Sequence, residues 1–172
     1  MFPLGSDERT AGALEIYEMP QKNQNGEIQS FRYICGIDPI DQDYSETVSL
    51  YSIFVMDMFT DRIVAEYTGR PTFANEAHEL ARKLCMFYNA TACYESNLHG
   101  LYSYFQQHKC THLLCDTPDY LKQRNLIKIQ GYGNVNKGIR ATAPINNYAN
   151  QLIKDWLMTP VNMISEVDGV EQ

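Results

Sequence analysis

A run of apolar and aromatic residues that stops at an acid and a proline constrains this chain most. Phe31–Asp38 has the apolar and aromatic pattern of a buried β-strand, and Pro39 ends it because proline has no N–H to donate to a sheet. A second short run, Thr91–Glu95, also ends in an acid. Open α/β sheets form their ligand sites at the carboxyl ends of strands. Asp38 and Glu95 are therefore the first candidates for chemistry, although an Asp-Pro pair also suits a simple turn.

Apolar periodicity predicts the other elements. The first elements are an edge strand within Leu14–Met19, a hairpin of Ser52–Met58 with Arg62–Thr68, and a helix over Phe73–Tyr88 with Thr72 as N-cap. After the strand Thr91–Glu95 we expect a helix capped by Ser96 or Asn97, with the apolar stripe Leu98, Leu101, Tyr102 and Phe105, and then a strand His112–Asp116. The remaining elements are an unpacked loop Gln130–Gly138, a helix with Pro144 in its first turn, a strand Val161–Val167 and a turn at Asp168-Gly169.

This order of strand, hairpin, helix, strand, helix and strand is that of a ribonuclease H-like fold. We expect an α/β fold with a mixed central sheet, an N-terminal antiparallel hairpin and flanking helices. The helix after the hairpin returns the chain across the sheet, so Thr91–Glu95 should run parallel to the first strand. At 172 residues we expect a tether over 1–30 and one domain over 31–172 that is incomplete at its C-terminal end.

Two neighbouring carboxylates at one sheet edge suit Mg²⁺ or Mn²⁺, which take oxygen ligands. Asp38 and Glu95 are the predicted catalytic residues and metal ligands, and Asp116 is a weaker reserve ligand that we expect farther away. A pair of such ions can activate water and stabilise the leaving oxygen in phosphodiester hydrolysis. The alternative for Glu95 is an acid at a helix entry, favoured by the helix dipole.

Charge is unevenly distributed along the chain. The net charge is −7, yet the stretch from Tyr120 to Lys154 contains six Lys or Arg and no acid. Such a basic tract fits a polyanion surface, and Lys128, Lys137 and Arg140 are the predicted contacts to DNA phosphates. The alternative is an ordinary solvated basic face.

Cysteine usage and hydropathy indicate a cytoplasmic protein. The five cysteines are an odd number and lie mostly in apolar runs, which suits buried free thiols. No run is long enough for a membrane span. His108, Cys110, His112 and Cys115 are close enough to suggest zinc, but their spacing and strand alternation disfavour it.

Four segments resemble the nuclease domain of the large terminase subunit of tailed bacteriophages: Gly36–Pro39, Thr60–Pro71, Tyr94–Asn97 and Leu114–Pro118. The resemblance implies metal-dependent endonucleolytic cutting of concatemeric viral DNA with Asp38 and Glu95 as the first two metal acids. It also implies double-stranded DNA, the terminase ATPase motor domain, the small terminase subunit and the portal as partners, in the host-cell cytoplasm.

Two departures from that family are visible. No acid matches the family's third metal acid, because Asp155 comes too early and Asp168 lies in the predicted turn. No G-x-x-x-x-G-K-[ST] motif occurs, so the ATPase motor is absent from the chain. The chain is thus expected to be a nuclease fragment with weak activity alone.

Two other classes share the expected fold. The first is a non-catalytic DNA-docking or assembly module that uses the basic tract. The second is an actin-like ATPase, which would need a glycine-rich phosphate loop where this chain has Pro39–Asp43.

Overall fold

The computed structural model describes residues 12–41, 49–126 and 136–159. Within these ranges the chain forms five β-strands, four α-helices and a short 3₁₀ turn. In chain order they are β1 (Ala13–Ile16), β2 (Tyr33–Asp38), β3 (Tyr51–Asp57), β4 (Arg62–Gly69), α1 (Ala74–Tyr88), β5 (Thr91–Tyr94), α2 (Gly100–Gln107), the 3₁₀ turn (Thr111–Leu113), α3 (Asp119–Gln123) and α4 (Ala143–Met158).

The chain divides into two compact units. The first comprises Met1–Pro118 and Gly131–Arg140 and contains the sheet with α1 and α2; the second comprises Asp119–Gln130 and Ala141–Gln172 and contains α3 and α4. Strand β1 hydrogen-bonds to β4, so part of the expected tether over 1–30 belongs to the sheet. A single domain over 31–172 stays a prediction.

The five strands form one mixed, mostly antiparallel sheet in the order β1-β4-β3-β2-β5. Strands β3 and β4 form the expected antiparallel hairpin, and β1 is the expected edge strand. Only the β2–β5 pair is parallel among these strands, with Ile34 opposite Thr91 and Ile37 opposite Tyr94. The expected α/β class and this parallel pairing are both confirmed.

The core lies on one face of the sheet. Alternate side chains of β2 and β3 are buried, and α1 and α2 pack together, with α1 against β2 and β3. Buried tyrosines find polar partners: the Tyr88 hydroxyl donates to the Glu18 carbonyl at 2.7 Å, and Tyr33 accepts from the Gln21 N–H at 2.8 Å. These bonds offset the desolvation of hydroxyls in an otherwise apolar layer.

Several predicted boundaries were wrong by a few residues. Strand β2 begins at Tyr33 because Phe31 has a φ of 63° and is 85 % exposed. Helix α1 begins at Ala74, and its N-cap is Phe73 instead of Thr72. The Phe73 N–H donates to the Glu76 carboxylate at 3.3 Å, and the Glu76 N–H donates to the Phe73 carbonyl at 3.0 Å.

The predicted strand His112–Asp116 was largely wrong. Local bonds from the Leu113 N–H to Cys110 and from the Leu114 N–H to Thr111 close a 3₁₀ turn instead. Sheet contacts begin only at Leu114, which bridges Ala92 in parallel. Backbone groups satisfied within a local turn are not available to a neighbouring strand.

The two later helices agree only in part with the sequence. Helix α2 buries Leu101 and Phe105 of its expected stripe, while Leu98 is exposed before the helix starts. Helix α4 has Pro144 in its first turn as expected, and Ile145 is buried while Leu152 and Trp156 are exposed. The predicted strand Val161–Val167 and the turn at Asp168-Gly169 lie outside the described residues.

A buried ion pair holds the end of the sheet remote from Asp38. Asp57 is 1 % exposed, and its Oδ2 accepts from Arg32 Nη2 at 2.7 Å and Nε at 3.0 Å. Its Oδ1 accepts from the Phe59 N–H at 2.9 Å. We expect Arg32→Met to cost about 2–4 kcal/mol of unfolding free energy, because a buried carboxylate loses its counter-charge. Urea denaturation measures this loss.

The exposed pair of Arg62 and Glu18 provides a matched control. Its atoms are 3.4 Å apart and its side chains are 69 % and 37 % exposed. Arg62→Met should therefore cost less than about 1 kcal/mol. Equal losses in the two variants would contradict a special role for the buried pair.

Candidate functional site

The parallel pairing of β2 and β5 brings the two expected acids to one sheet edge. Asp38 is the last residue of β2, and Glu95 directly follows β5. The Glu95 N–H donates to the Ile37 carbonyl at 3.0 Å, so the two residues leave the sheet side by side. The sequence predicted both acids as site residues, and the parallel register of β2 and β5 explains why they lie at the same edge of the sheet.

The two carboxyl groups lie close enough for Asp38 to affect the pKa of Glu95. Burial raises the pKa of the Glu95 carboxyl, and the charge of Asp38 and the contact with its side chain raise it further. The Asn97 amide opposes this shift by donating to Glu95 Oε1 at 2.7 Å. Asn97 therefore orients the Glu95 carboxylate, and the expectation that Ser96 or Asn97 caps α2 was wrong.

A further segment extends this edge of the sheet beyond β5. Ile139 bridges Glu95 in parallel, with Ile139 N–H donating to the Tyr94 carbonyl at 2.8 Å and Ser96 N–H donating to Ile139 at 3.0 Å. Lys137 bridges Asp116 in antiparallel fashion. Part of the basic tract is thereby fixed beside the carboxyl pair.

The expected unpacked loop Gln130–Gly138 was wrong at its C-terminal end; residues 130–135 lie outside the described residues. Gly138 is buried with a φ of 72°, and a Cβ there would lie 2.7 Å from the Tyr94 ring. Only glycine suits such a backbone and such a close approach. Gly138, which the sequence placed in a loop, thus packs next to β5.

Asp116 and Lys137 pair with each other. Lys137 Nζ lies 2.9 Å from Asp116 Oδ1 and donates to the Leu114 carbonyl at 2.8 Å. The side chain of Asp116 is 76 % exposed, and that of Lys137 is 24 % exposed. The pair fixes the segment next to β5, while metal binding by Asp116 and phosphate binding by Lys137 stay predictions.

Arg140 is exposed directly after Ile139, the residue that bridges Glu95. Its position places a cationic side chain on the chain segment beside the carboxyl pair. Lys128 lies outside the described residues. The phosphate contacts expected of these residues stay predictions.

Asp41 was missed as a structural element of the site. Its carboxylate accepts from the His99 N–H at 2.9 Å and from the Gly100 N–H at 3.0 and 3.1 Å, at the start of α2. These bonds tie the segment after Asp38 to the segment after Glu95. The acid-rich loop was visible in the sequence, but its partner is a remote helix end with no side-chain cap of its own.

A buried polar pair lies under this connection. His78 is 1 % exposed, and its Nδ1 lies 3.1 Å from the hydroxyl of fully buried Tyr51. His78 Nε2 faces Gly100, where an added Cβ would lie 3.1 Å from it. A side chain at position 100 would therefore crowd His78 and displace the Asp41 carboxylate.

The donor set fits a hard divalent cation. Burial and the neighbouring charge of Asp38 both raise the pKa of Glu95, and a bound cation would offset the negative charge of the pair. Mg²⁺ is usually held by one or two carboxylates together with waters and substrate phosphates. Within residues 12–41, 49–126 and 136–159, no group of three or more His, Cys, Asp or Glu residues is arranged to hold a metal ion.

Comparisons with known proteins give no family assignment: no protein-family model matches the sequence, and no curated protein matches it either. Among the described helices, none has the length and apolar character needed to cross a membrane.

The Asp38–Glu95 contact generates a titration prediction. Asp38→Asn should lower the pKa of Glu95, because it removes a neighbouring negative charge. ¹³C NMR titration of the Glu95 carboxyl measures the change in its pKa. Asp61 lies in the turn between β3 and β4, remote from Asp38, so Asp61→Asn should leave the Glu95 pKa unchanged. An unchanged Glu95 pKa in Asp38→Asn would contradict the contact.

The sign of the linked stability follows from the raised pKa. The folded state favours protonated Glu95, so protonation of Glu95 stabilises the fold. This stabilisation is complete below the pKa that Glu95 has in the unfolded chain, and it is lost as pH rises through the pKa of Glu95 in the folded chain. At a pH above the folded-state pKa the charge of Glu95 therefore reduces the stability of the fold, and Glu95→Gln should remove this loss.

Proposed function

We propose that this chain is a metal-dependent DNA endonuclease domain with a ribonuclease H-like fold. The observation that supports the proposal is that Asp38 and Glu95 leave the sheet side by side at the carboxyl ends of two paired parallel strands. The strand order β4-β3-β2-β5, extended by the bridge from Ala92 to Leu114, supports the fold assignment. The resemblance to terminase nuclease domains supports double-stranded viral DNA as the substrate.

The residues of the site have distinct tasks in this proposal. Asp38 and Glu95 supply oxygen ligands, and the Asn97 amide fixes one Glu95 oxygen so that the other is available. Asp41 holds the two segments that follow the acids in a fixed relation. When bound, one or two Mg²⁺ or Mn²⁺ ions would supply an activated water and charge stabilisation for the leaving oxygen.

The ATPase motor domain, the small terminase subunit and the portal are the proposed partners, following the terminase resemblance. A third acid beyond the carboxyl pair would strengthen ion binding. Because two carboxylates hold such ions weakly, we expect slow cleavage by this chain alone.

Metal binding is tested by thermal unfolding with and without MnCl₂. At an ion concentration ten times Kd, binding should stabilise the wild-type chain by about 1.4 kcal/mol and raise Tm by about 3–6 °C. Asp38→Asn and Glu95→Gln should abolish the shift, because the amide keeps the volume but loses the ligand charge. Asp61→Asn is the matched control and should retain it.

Cleavage of supercoiled plasmid with Mn²⁺ completes the test. Both site variants should be slower than wild type by about 100-fold or more, equal to about 3 kcal/mol of transition-state stabilisation. Wild-type metal binding and cleavage in either variant would refute the proposed site. DNA binding without metal binding or cleavage would favour the non-catalytic docking module instead.

The basic tract is proposed to guide the duplex to the carboxyl pair. Arg140 is exposed beside Glu95, so its contact with DNA should be sequence-independent and salt-sensitive. Arg140→Ala should lower the slope of log K against log salt by about one unit for unrelated duplexes. Fluorescence anisotropy at several salt concentrations measures this slope.

Arg62 provides the control for this experiment because it is also exposed but lies opposite Asp57, at the end of the hairpin remote from Asp38. Arg62→Ala should leave affinity and slope unchanged. Lys137→Ala should reduce stability as well as binding, since Lys137 is paired with Asp116. Equal behaviour of the Arg140 and Arg62 variants would identify the tract as a solvated face.

A further inference from the structure

Two cysteines meet at the same sheet edge as the carboxyl pair. The parallel bridge between Ala92 and Leu114 sets Cys93 beside Cys115, and the Cys115 N–H donates to the Ala92 carbonyl at 2.8 Å. The two thiols lie close enough for each to shift the pKa of the other. Both residues are partly exposed, unlike most thiols in this chain.

The backbone spacing suits a covalent link. Neighbouring strands lie about 4.8 Å apart, which is within the Cα separation of about 4.4–6.8 Å that a disulfide spans. Both side chains extend from the same side of the paired segments, because their preceding residues are directly opposite each other.

We propose that Cys93 and Cys115 form a redox-sensitive dithiol that peroxide converts into a reversible disulfide. In the first step one thiol reduces hydrogen peroxide, becoming a sulfenic acid and releasing one water. In the second step the other thiol attacks that sulfur, which forms the S–S bond and releases a second water. Two thiols are oxidised and one peroxide is reduced, so atoms and electrons balance.

The chain contains an internal comparison for this proposal. The Cys85 thiol also lies close enough to Cys35 to raise its pKa, but both residues are 0 % exposed. Peroxide reaches a partly exposed thiol more readily than a buried one. Comparing the exposed pair with the buried pair therefore shows whether oxidation depends on the closeness of two thiols alone or also on their exposure to peroxide.

The cross-link would act on the edge of the candidate site. Cys93 is two residues before Glu95, and Cys115 directly precedes Asp116. A disulfide would join β5 covalently to the segment held by the Asp116–Lys137 pair. This inference rests on the thiol geometry alone and does not require the proposed nuclease activity.

The experiment treats the folded 172-residue chain with hydrogen peroxide, unfolds it, alkylates the remaining thiols and maps the peptides by mass spectrometry. We expect a loss of about 2 Da, a linked peptide containing Cys93 and Cys115, and full reversal by dithiothreitol. Three of the five cysteines should still be alkylated.

Variants sharpen the result. Cys93→Ser and Cys115→Ser should each abolish the linked product, whereas Cys35→Ser should retain it. Five alkylated thiols after treatment of the wild-type chain would overturn the proposal, as would linkage of Cys35 to Cys85 in equal yield. The wild-type peptide map decides the matter even where a variant fails to fold.

Discussion

The bond from the Glu95 N–H to the Ile37 carbonyl is the constraint on which the candidate site depends. It fixes the parallel register of β2 and β5, and that register alone determines that two acids far apart in sequence end together. A shift of one residue would turn each side chain to the opposite face of the sheet. The buried residues Cys35 and Ile37 of β2 prevent such a shift, because they would lose their place in the core.

Sequence reasoning succeeded where local pattern determines structure. Runs of apolar and aromatic residues predicted β2 and the β3–β4 hairpin, and helical spacing predicted α1, because each pattern is complete within its own element. Both carboxylates could be chosen because each ends a strand. Their placement at one edge of the sheet then followed from a topological rule about the crossover between parallel strands.

Features that depend on remote partners could not be read from the chain. Asp41 caps a helix that begins almost sixty residues later, and Gly138 is required by the ring of Tyr94. The pairing of Lys137 with Asp116 likewise joins two segments whose own patterns are weak. In all three cases the sequence shows the residue itself, but only the tertiary structure determines which remote residue it contacts.

The hairpin and the carboxyl pair also differ in how far along the chain their contacts reach. Asp57 pairs with Arg62 across a short turn, whereas Ile34 pairs with Thr91 only after the hairpin and helix α1 have intervened. Closing the longer loop costs more chain entropy, and this cost arises before the β2–β5 contacts can stabilise the chain. The hairpin is thus expected to form early in folding, and the two acids converge late. During synthesis, a nascent chain would carry Asp38 without its partner until β5 had left the ribosome.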